Sequence, residues 1–360
     1  MAGKNLLLAA TLVVLAACSE NPISPDPTVL DARNKKGGTP TPPLPPPTPT
    51  PTPTPTPDPT PAPPPVPVGG NPISGAAFWV NPNSNAKQQA DAWRVSRPAD
   101  AAQMDKIARN SQAQWMGGWS GDVFTAVNNA VTTAAAVGAA PVLVAYNIPQ
   151  RDCGGLSGGG TTVAGYKIWI AAFANGLAGR RAVVILEPDA LTQMDCLSAA
   201  DQTTRLILIQ YAIGVLKAQA NVSVYLDGGH SAWKSASDQA SRLTRANVAA
   251  ADGFALNVSN FQFTSNSTVY GRAISDLIGG KHFVIDTSRN GLGPTADNQW
   301  CNPSGRALGS PNTTVTADSR VDAYLWIKAP GESDGSCGGA PPAGAWWADY
   351  ALGLAQRSSL

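Results

Sequence analysis

The chain has 360 residues, 43% of them hydrophobic, with 25 basic and 24 acidic side chains and a formal net charge of +1. This balance gives no indication of nucleic-acid binding, which relies on a basic surface. The chain contains two histidines, which argues against both a zinc site and a Ser-His-Asp triad. We therefore expect no metal and no other cofactor.

Residues 1–18 have the pattern of an export signal. Lys4 supplies the positive start, and the apolar run 6–17 is shorter than the roughly 20 residues that a membrane-spanning helix needs. The sequence L-A-A-C at 15–18 resembles the lipobox of bacterial lipoproteins, in which cleavage occurs before a cysteine that then carries lipid. Lipidation of Cys18 would account for the odd one among five cysteines. The alternative is an ordinary signal peptide cut after the small residues.

Residues 19–70 are predicted to be a disordered linker. From about Gly37 onward the segment is dominated by Pro and Thr, with TPTPTPTP at its centre. Such a tract forms no hydrogen-bonded core and favours a stiff polyproline conformation of about 3.1 Å per residue. We expect it to join a membrane anchor to one folded domain, residues 71–360.

The size of that domain suits a single α/β barrel. Seven apolar runs that each end in a polar residue are predicted as strands: Ala76–Asn81, Pro141–Tyr146, Ala182–Leu186, Val222–Leu226, Gly253–Asn257, His282–Ile285 and Ala323–Ile327. Apolar repeats at three and four residues predict helices between them: Val123–Val137, Tyr166–Leu177, Thr204–Lys217 and, more weakly, Ser237–Ala251. This alternation predicts a parallel sheet closed into a barrel, with helices outside.

The run Ala182–Leu186 reads as a fully buried strand because it is apolar throughout and three of its five residues are β-branched. Pro188 cannot donate to a sheet, so the strand should end near Glu187 and leave Asp189 on the following loop. A carboxyl group at the mouth of a buried strand is placed to be desolvated, which raises its pKa. The alternative is that Glu187 and Asp189 only cap the next helix.

Loops that follow the strands form the active face of an α/β barrel. Six of the predicted post-strand segments carry an Asp, Asn or Glu, so Asp152, Asp189, Asp227 and Asp334 are expected to meet at one mouth. Helix capping explains a single aspartate better than it explains four. Paired carboxylates without the spacing of metal ligands indicate glycoside hydrolysis.

Six segments resemble the signature segments of glycoside hydrolase family 6, whose cellulases cleave β-1,4-glucan with inversion. They are YNIPQRDC (146–153), VILEPDAL (184–191), YLDGGHSAW (225–233), IDTSRNG (285–291), WCNPSGR (300–306) and LWIKAPGESDG (325–335). The resemblance runs from about Ala76 to residue 360. It implies a distorted seven-stranded parallel α/β barrel with an open substrate cleft at the C-terminal ends of the strands.

The same resemblance assigns roles to the four aspartates. It makes Asp189 the general acid that protonates the glycosidic oxygen. Asp152 would keep the pKa of that acid high by like-charge coupling and help relay the proton of the catalytic water. Asp334 matches the carboxylate usually proposed as the base, and Asp227 matches an aspartate that tunes the site.

The resemblance also implies a set of substrate contacts. Tyr146 would lie beside the distorted sugar, Arg151 would hold the carboxylates, and Ser157 would lie near the catalytic water. Aromatic rings stack on pyranose faces, and the matching positions are Trp115, Trp233 and Trp300. Polar ligands of sugar hydroxyls are expected at His230, Asn260, Lys328 and Glu332. Core packing is expected for Trp169, Trp346 and Trp347.

The family pairs cysteines at positions that match Cys153 with Cys196 and Cys301 with Cys337. An exported chain permits disulfides. Each bridge would close a loop of about forty residues and contribute about 4 kcal/mol by the chain-entropy relation. Free buried cysteines are the alternative.

Together these features predict an inverting endo-β-1,4-glucanase that acts on cellulose and related β-glucans as a monomer. The segments between the paired cysteines resemble the short version found in endo-acting members, so the cleft should be open. The alternatives are an exo-acting cellobiohydrolase of the same family and a non-catalytic glycan-binding lipoprotein. We expect the protein to be exported and lipid-anchored through Cys18 to the cell envelope or surface, or otherwise secreted.

Overall fold

The computed structural model describes residues 70–360. The predicted signal peptide with Cys18, and the predicted linker up to residue 69, lie outside the described residues. Among the helices of residues 70–360, none combines the length and apolar character needed to cross a membrane.

Seven parallel strands form a single sheet in which each strand pairs with the next along the chain. The strands are β1 Gln114–Met116, β2 Val142–Ala145, β3 Ala182–Leu186, β4 Val222–Asp227, β5 Gly253–Leu256, β6 His282–Asp286 and β7 Val321–Leu325. The helices are α1 Asn85–Trp93, α2 Pro98–Ala108, α3 Val123–Ala135, α4 Val163–Leu177, α5 Ala199–Lys217, α6 Ala236–Arg245, α7 Thr264–Leu277 and α8 Ala348–Gln356. The predicted seven-stranded parallel α/β fold is confirmed.

The first predicted strand, Ala76–Asn81, is wrong. In that segment Phe78 alone pairs with the sheet, beside Ala140, and the first strand is Gln114–Met116. The two segments lie along the same edge of β2. Phe78 lies beside Ala140, just before β2 begins, and Gln114 pairs with Leu143 within β2. A three-residue strand that contains a glutamine carries too little apolar pattern to be recognised from sequence.

Several of the helices begin at local capping residues. Asp122, Thr162, Ser198 and Ser235 each accept a backbone N–H from the first turn of the helix that follows, which satisfies donors that the helix itself leaves free. The weakly predicted helix Ser237–Ala251 is interrupted, since α6 ends at Arg245 and Asn247 has a φ of 63°.

The core has two layers because successive strand residues point to opposite faces. On β3, Val183 and Ile185 face the barrel interior, whereas Ala182, Val184 and Leu186 face the helices. Both faces are covered, so all five residues are buried. This is the physical reason that β3 reads as an uninterrupted apolar run.

The barrel is curled but is not closed by a strand ladder. Within residues 70–360, β1 and β7 form no ladder with each other. Two hydrogen bonds join these edges instead: Ala113 N donates to Trp326 O at 2.9 Å, and Trp115 Nε1 donates to Ile327 O at 2.8 Å. We call this junction the seam. It lies opposite β4, the middle strand of the seven.

Candidate active site

A cleft of about 950 Å³ lies across the carboxyl ends of the strands. It brings together three of the four predicted catalytic aspartates and all the predicted substrate-binding residues. Those lining it are Asp152, Asp189, Asp334, Trp115, Tyr146, Arg151, Ser157, His230, Trp233, Asn260, Trp300, Lys328 and Glu332. Asp227 does not line the cleft; it is buried and accepts a hydrogen bond from the backbone of Asp189.

Asp189 reaches the cleft through a sharp turn after β3. Glu187 and Asp189 have φ angles of 48° and 69°, a region that non-glycine residues adopt at a cost in free energy. The turn is held by Asp227 Oδ2, which accepts from Asp189 N at 3.0 Å and from Gly229 N at 3.2 Å. Asp189 is thereby fixed at the end of the strand that the apolar run predicted.

Glu187 does not cap a helix. Its buried carboxyl accepts the backbone N–H groups of Asn147 and Ile148, each at 3.1 Å. The next helix is instead capped by Ser198. Glu187 therefore ties the loop after β2 to the loop after β3, and burial raises its pKa to about 7.

The carboxyl of Asp189 has a pKa well above its usual range. Burial is the largest cause, followed by the charge of Asp227 and then that of Asp152, while the Tyr146 hydroxyl acts in the opposite direction. The sequence interpretation assigned the like-charge effect to Asp152, but Asp227 contributes more. Burial also raises the pKa of Asp227, to about 7.

Asp152 is held beside Asp189 by short contacts. Its Oδ2 accepts from Ser157 N at 2.8 Å and its Oδ1 accepts from Gln193 Nε2 at 3.0 Å. The disulfide between Cys153 and Cys196 joins the loop of Asp152 to the segment that follows Asp189. Both predicted disulfides form, the second between Cys301 and Cys337.

Arg151 does not hold the carboxylates as expected. Within residues 70–360 its guanidinium makes no ion pair; it donates to Tyr146 O and Ser157 O, both at 2.8 Å, and to Gly158 O at 3.2 Å. The guanidinium of Arg151 meets these carbonyl groups because the loop at residues 157–158 folds back over the Arg151 side chain. Arg151 thus orders the loop that carries Ser157 and acts on Asp152 only through that loop.

Asp334 is buried among cations. Arg289 Nη1 donates to Asp334 Oδ2 at 2.8 Å, Asn302 N donates to the same oxygen at 3.0 Å, and Lys328 Nζ lies 3.8 Å from Oδ1. The second disulfide flanks this arrangement, since Cys301 precedes Asn302. Oδ2 therefore accepts two hydrogen bonds, whereas Oδ1 has the longer contact with the Lys328 ammonium.

Sequence reasoning missed two residues that organise this half of the site. Arg289 and Asp286 both lie within the segment IDTSRNG, so the signal was present, but no role was assigned to either. Asp286 is buried and accepts from Ser259 N at 3.0 Å and from Lys328 N at 2.9 Å. It therefore links the loops after β5 and β7 and helps position Lys328.

Burial shifts the pKa values of the other titratable side chains that line the cleft, His230, Glu332 and Lys328. Burial lowers the pKa of His230 to about 4, so its imidazole is uncharged at neutral pH. Burial raises the pKa of Glu332 and lowers that of Lys328. Within residues 70–360 no three His, Cys, Asp or Glu side chains are grouped to hold a metal ion.

Aromatic rings line the cleft on both sides of Asp189. Trp115 meets Tyr146 edge-on at 5.2 Å between centroids, and His230 packs beside Trp233 at 5.4 Å. Trp300 is 50% exposed. Sequence reasoning missed Trp119, which is 58% exposed in the cleft with its ring 6.5 Å from that of Tyr146. Its sequence signal was a second tryptophan four residues after Trp115, in the segment Q-W-M-G-G-W.

The three tryptophans expected in the core differ in their surroundings. Trp169 packs on the helix-facing core beside Phe173, and Trp347 stacks on Tyr350 at 5.3 Å. Trp346 packs against the cluster around α8 but also lines the cleft. Its role is therefore not confined to the core.

Comparison with known proteins agrees with this geometry. The family model "Glycosyl hydrolases family 6" matches residues 73–358. Endoglucanase A of Cellulomonas fimi is 45% identical over 290 residues, which is 80% of this chain and 62% of that protein. This chain therefore spans less than two thirds of that relative. Endoglucanase 1 of Streptomyces halstedii is 42% identical over 272 residues, covering 72% of this chain and 82% of that one.

A solved structure shows the same fold. The endoglucanase Cel6 from Mycobacterium tuberculosis, in complex with methyl-cellobiosyl-4-deoxy-4-thio-β-D-cellobioside, superposes with a TM-score of 0.77 at 46% identity. The match covers 80% of this chain and 99% of that chain. Because the family model spans nearly all of the described residues, the chain belongs to glycosyl hydrolases family 6.

Proposed function

We propose that this protein is an endo-β-1,4-glucanase that hydrolyses internal bonds of cellulose and related β-glucans with inversion. The observation that carries the proposal is Asp189, a carboxyl with a raised pKa at the centre of a long cleft lined by tryptophans. Carboxyl groups supply the acid and base of glycoside hydrolysis, and aromatic faces bind pyranose rings. The endoglucanase names of the relatives point in the same direction.

Asp189 is the proposed general acid. Its raised pKa keeps the proton on the carboxyl at neutral pH. As the bond between the anomeric carbon and the glycosidic oxygen breaks, that oxygen takes the proton and leaves as a hydroxyl. The Asp189 carboxylate that remains is reprotonated from solvent before the next turnover.

The attacking water is proposed to lie beside Ser157 and Asp152, on the opposite face of the sugar. The 2.8 Å contact between Ser157 N and Asp152 Oδ2 supports this, because it fixes the serine loop to the carboxylate. The water oxygen bonds to the anomeric carbon and its proton passes through Asp152. Asp334, which also lines the cleft, is the second candidate for base.

An open cleft supports endo cleavage over exo cleavage. Trp119 and Trp300 keep 58% and 50% of their surfaces exposed, so neither is covered by a roof. The disulfide-closed segments are short, with partners 43 and 36 positions apart. Gly338 and Gly339 both adopt positive φ in the second segment, so it turns tightly there. A chain without a free end can therefore enter sideways.

Digestion of carboxymethyl cellulose tests the proposal. Endo cleavage requires viscosity to fall early, before much reducing sugar appears. Cellobiose that accumulates at nearly constant viscosity would favour the cellobiohydrolase alternative, and no reducing sugar at all would favour a non-catalytic glycan-binding protein. Inversion is tested on a soluble β-linked substrate, whose first product should be the α-anomer by proton NMR; a first-formed β-anomer would contradict it.

We further propose that the protein is exported and anchored through a lipid on Cys18. The two disulfides support export, because they persist in oxidising compartments. Asn71 donates to Asp322 O at the start of β7, so the first described residues lie at the end of the barrel opposite the cleft. An anchor attached there would leave the cleft accessible to polysaccharide.

Metabolic labelling tests the anchor. Labelled palmitate should enter the full-length protein and be absent from Cys18→Ser. A wild-type protein that is released without label would contradict the proposal. We propose that the protein acts as a monomer, and sedimentation of the full-length protein in detergent tests that.

A further inference from the structure

A buried arginine outside the cleft joins the loops that follow β2 and β3, and the proposed chemistry assigns it no role. Arg205 lies in the second turn of α5 and is 3% exposed. Its Nη1 donates to Ala190 O, in the loop after β3, at 3.1 Å. Its Nη2 donates to Pro149 O and Gln150 O, in the loop after β2, both at 2.8 Å. We call these three hydrogen bonds the guanidinium clamp.

The acceptors of the guanidinium clamp lie next to the carboxyl groups of the proposed mechanism. Ala190 follows Asp189 directly, and Gln150 precedes Asp152 by two residues. The backbone is strained at these points, since Gln150, Asp152 and Asp189 have φ angles of 54°, 52° and 69°. Main-chain hydrogen bonds here therefore fix the place at which each carboxyl group leaves its loop.

Burying the Arg205 guanidinium costs free energy that no ion pair offsets. Within residues 70–360 its hydrogen-bond partners are the three carbonyl groups of the clamp. Burial lowers the pKa of Arg205, and the charge of Glu187 is the largest effect in the opposite direction. An apolar side chain of similar volume would avoid the cost of desolvation. What the guanidinium adds is a planar set of donors that reaches two separate loops at once.

The guanidinium clamp opposes a repulsion that grows during the proposed reaction. The charge of Asp152 raises the pKa of Asp189, so the two groups repel each other once Asp189 has given up its proton. The Asp189 carboxyl is faced by Asp227, Asp152 and Tyr146, and its pKa is set by burial and these three groups. Arg205 is not among them. The clamp can therefore hold the two loops together without making the carboxyl of Asp189 more acidic.

We infer that Arg205 is a positioning residue that fixes the separation between the Asp189 loop and the Asp152 loop. The inference rests on the proposed function, since it concerns the geometry of the same two carboxyl groups. Arg205 does not line the cleft, so it acts only through the loops. The disulfide between Cys153 and Cys196 joins the loops to each other, whereas the clamp attaches both of them to α5.

The test compares Arg205→Met and Arg205→Lys with the matched control Arg242→Met. Arg242 is a buried arginine on α6, and its guanidinium binds the segment 191–195 and Asp238 but not the Asp152 loop. Methionine removes all the donors of the clamp. Lysine keeps the charge, but its compact ammonium lacks the planar fork that reaches both loops. Each variant is measured for kcat and KM on cellotetraose, for its pH–rate profile and for urea unfolding.

Both Arg205 variants should lose kcat while KM stays near the wild-type value. The expected loss in Arg205→Met is about 10²-fold, which a displacement of about 1 Å can cause. The basic limb of the pH–rate profile should also move to lower pH, because Asp152 then lies further from Asp189 and raises its pKa less. A purely stabilising role would not move this limb. Arg242→Met should lose stability as well, but keep its kcat and its basic limb near the wild-type values.

The outcomes separate this inference from the proposed function. If the wild type cleaves no oligosaccharide, the proposed function fails. If the wild type is active and the folded Arg205 variants keep its kcat and its basic limb, the inference fails while the proposed function stands. If Arg205→Met does not fold, Arg205→Lys decides by the same criteria. A lower kcat with an unmoved basic limb, or an equal loss of kcat in Arg242→Met, would also overturn the inference.

Discussion

Asp227 lies beneath the proposed acid and accepts the backbone N–H of Asp189 through Oδ2 at 3.0 Å. One carboxylate therefore does two things for its neighbour. It fixes the positive-φ turn that aims Asp189 into the cleft, and it opposes ionisation of the Asp189 carboxyl by like-charge repulsion. Asp189 faces the cleft and Asp227 lies beneath it, so the two neighbouring carboxyl groups have different roles.

Asp189→Asn should leave the fold intact and abolish most turnover. A positioned general acid contributes about 10²–10⁴-fold, so kcat on cello-oligosaccharides should fall by that order. Dinitrophenyl glycosides, whose leaving group needs no proton, should be affected much less. Steady-state rates on both substrates, with circular dichroism as the folding control, make the comparison; an equal loss on both would remove Asp189 from the acid role.

Asp227→Asn should move the basic limb of the pH–rate profile to lower pH. The acid must be protonated, so activity is lost as pH rises through the pKa of Asp189. Removing the Asp227 charge lowers that pKa, and an asparagine oxygen can still accept Asp189 N. The control is Asp349→Asn, an exposed aspartate on α8, which should leave the profile unchanged. A basic limb that stays in place would show that the charge of Asp227 does not raise the pKa of Asp189.

Glu187→Gln should flatten the dependence of stability on pH. The folded pKa of Glu187 is about 7 and its ordinary value is 4.5, so the folded state binds the extra proton between these values. Stability therefore falls as pH rises from about 4.5 to about 7, by about 3 kcal/mol for this group. Urea unfolding at several pH values should show a smaller decline in the variant. An unchanged slope would mean that Glu187 is ionised throughout.

Removing the Cys153–Cys196 bridge should reduce activity more than removing Cys301–Cys337. Each double serine variant should lose about 4 kcal/mol of unfolding free energy by the chain-entropy relation. The first bridge, however, joins the Asp152 loop to the segment after Asp189. Its loss should therefore also lower kcat, even at temperatures at which the variant is still folded. Thermal unfolding and kcat at 25 °C compare the two; equal effects on kcat would leave both bridges with a stabilising role alone.

Much of the site was predictable because it follows local pattern. The run Ala182–Leu186 is apolar throughout, and Pro188 ends it, so a buried strand with Asp189 beyond its end follows from sequence. Carboxyl ends of parallel strands meet at one face, so the convergence of Asp152, Asp189 and Asp334 follows as well. The resemblance to the family added the disulfide pairs and the sugar-binding residues.

Other features were decided only by tertiary structure, because they depend on register between segments distant in sequence. Leu186 pairs with Leu226, which places Asp227 beside the turn that carries Asp189, and no spacing along the chain reveals that hydrogen bond. Arg289 reaches Asp334 across 45 positions. A sequence determines which residues end a strand; packing determines which oxygen then meets which N–H.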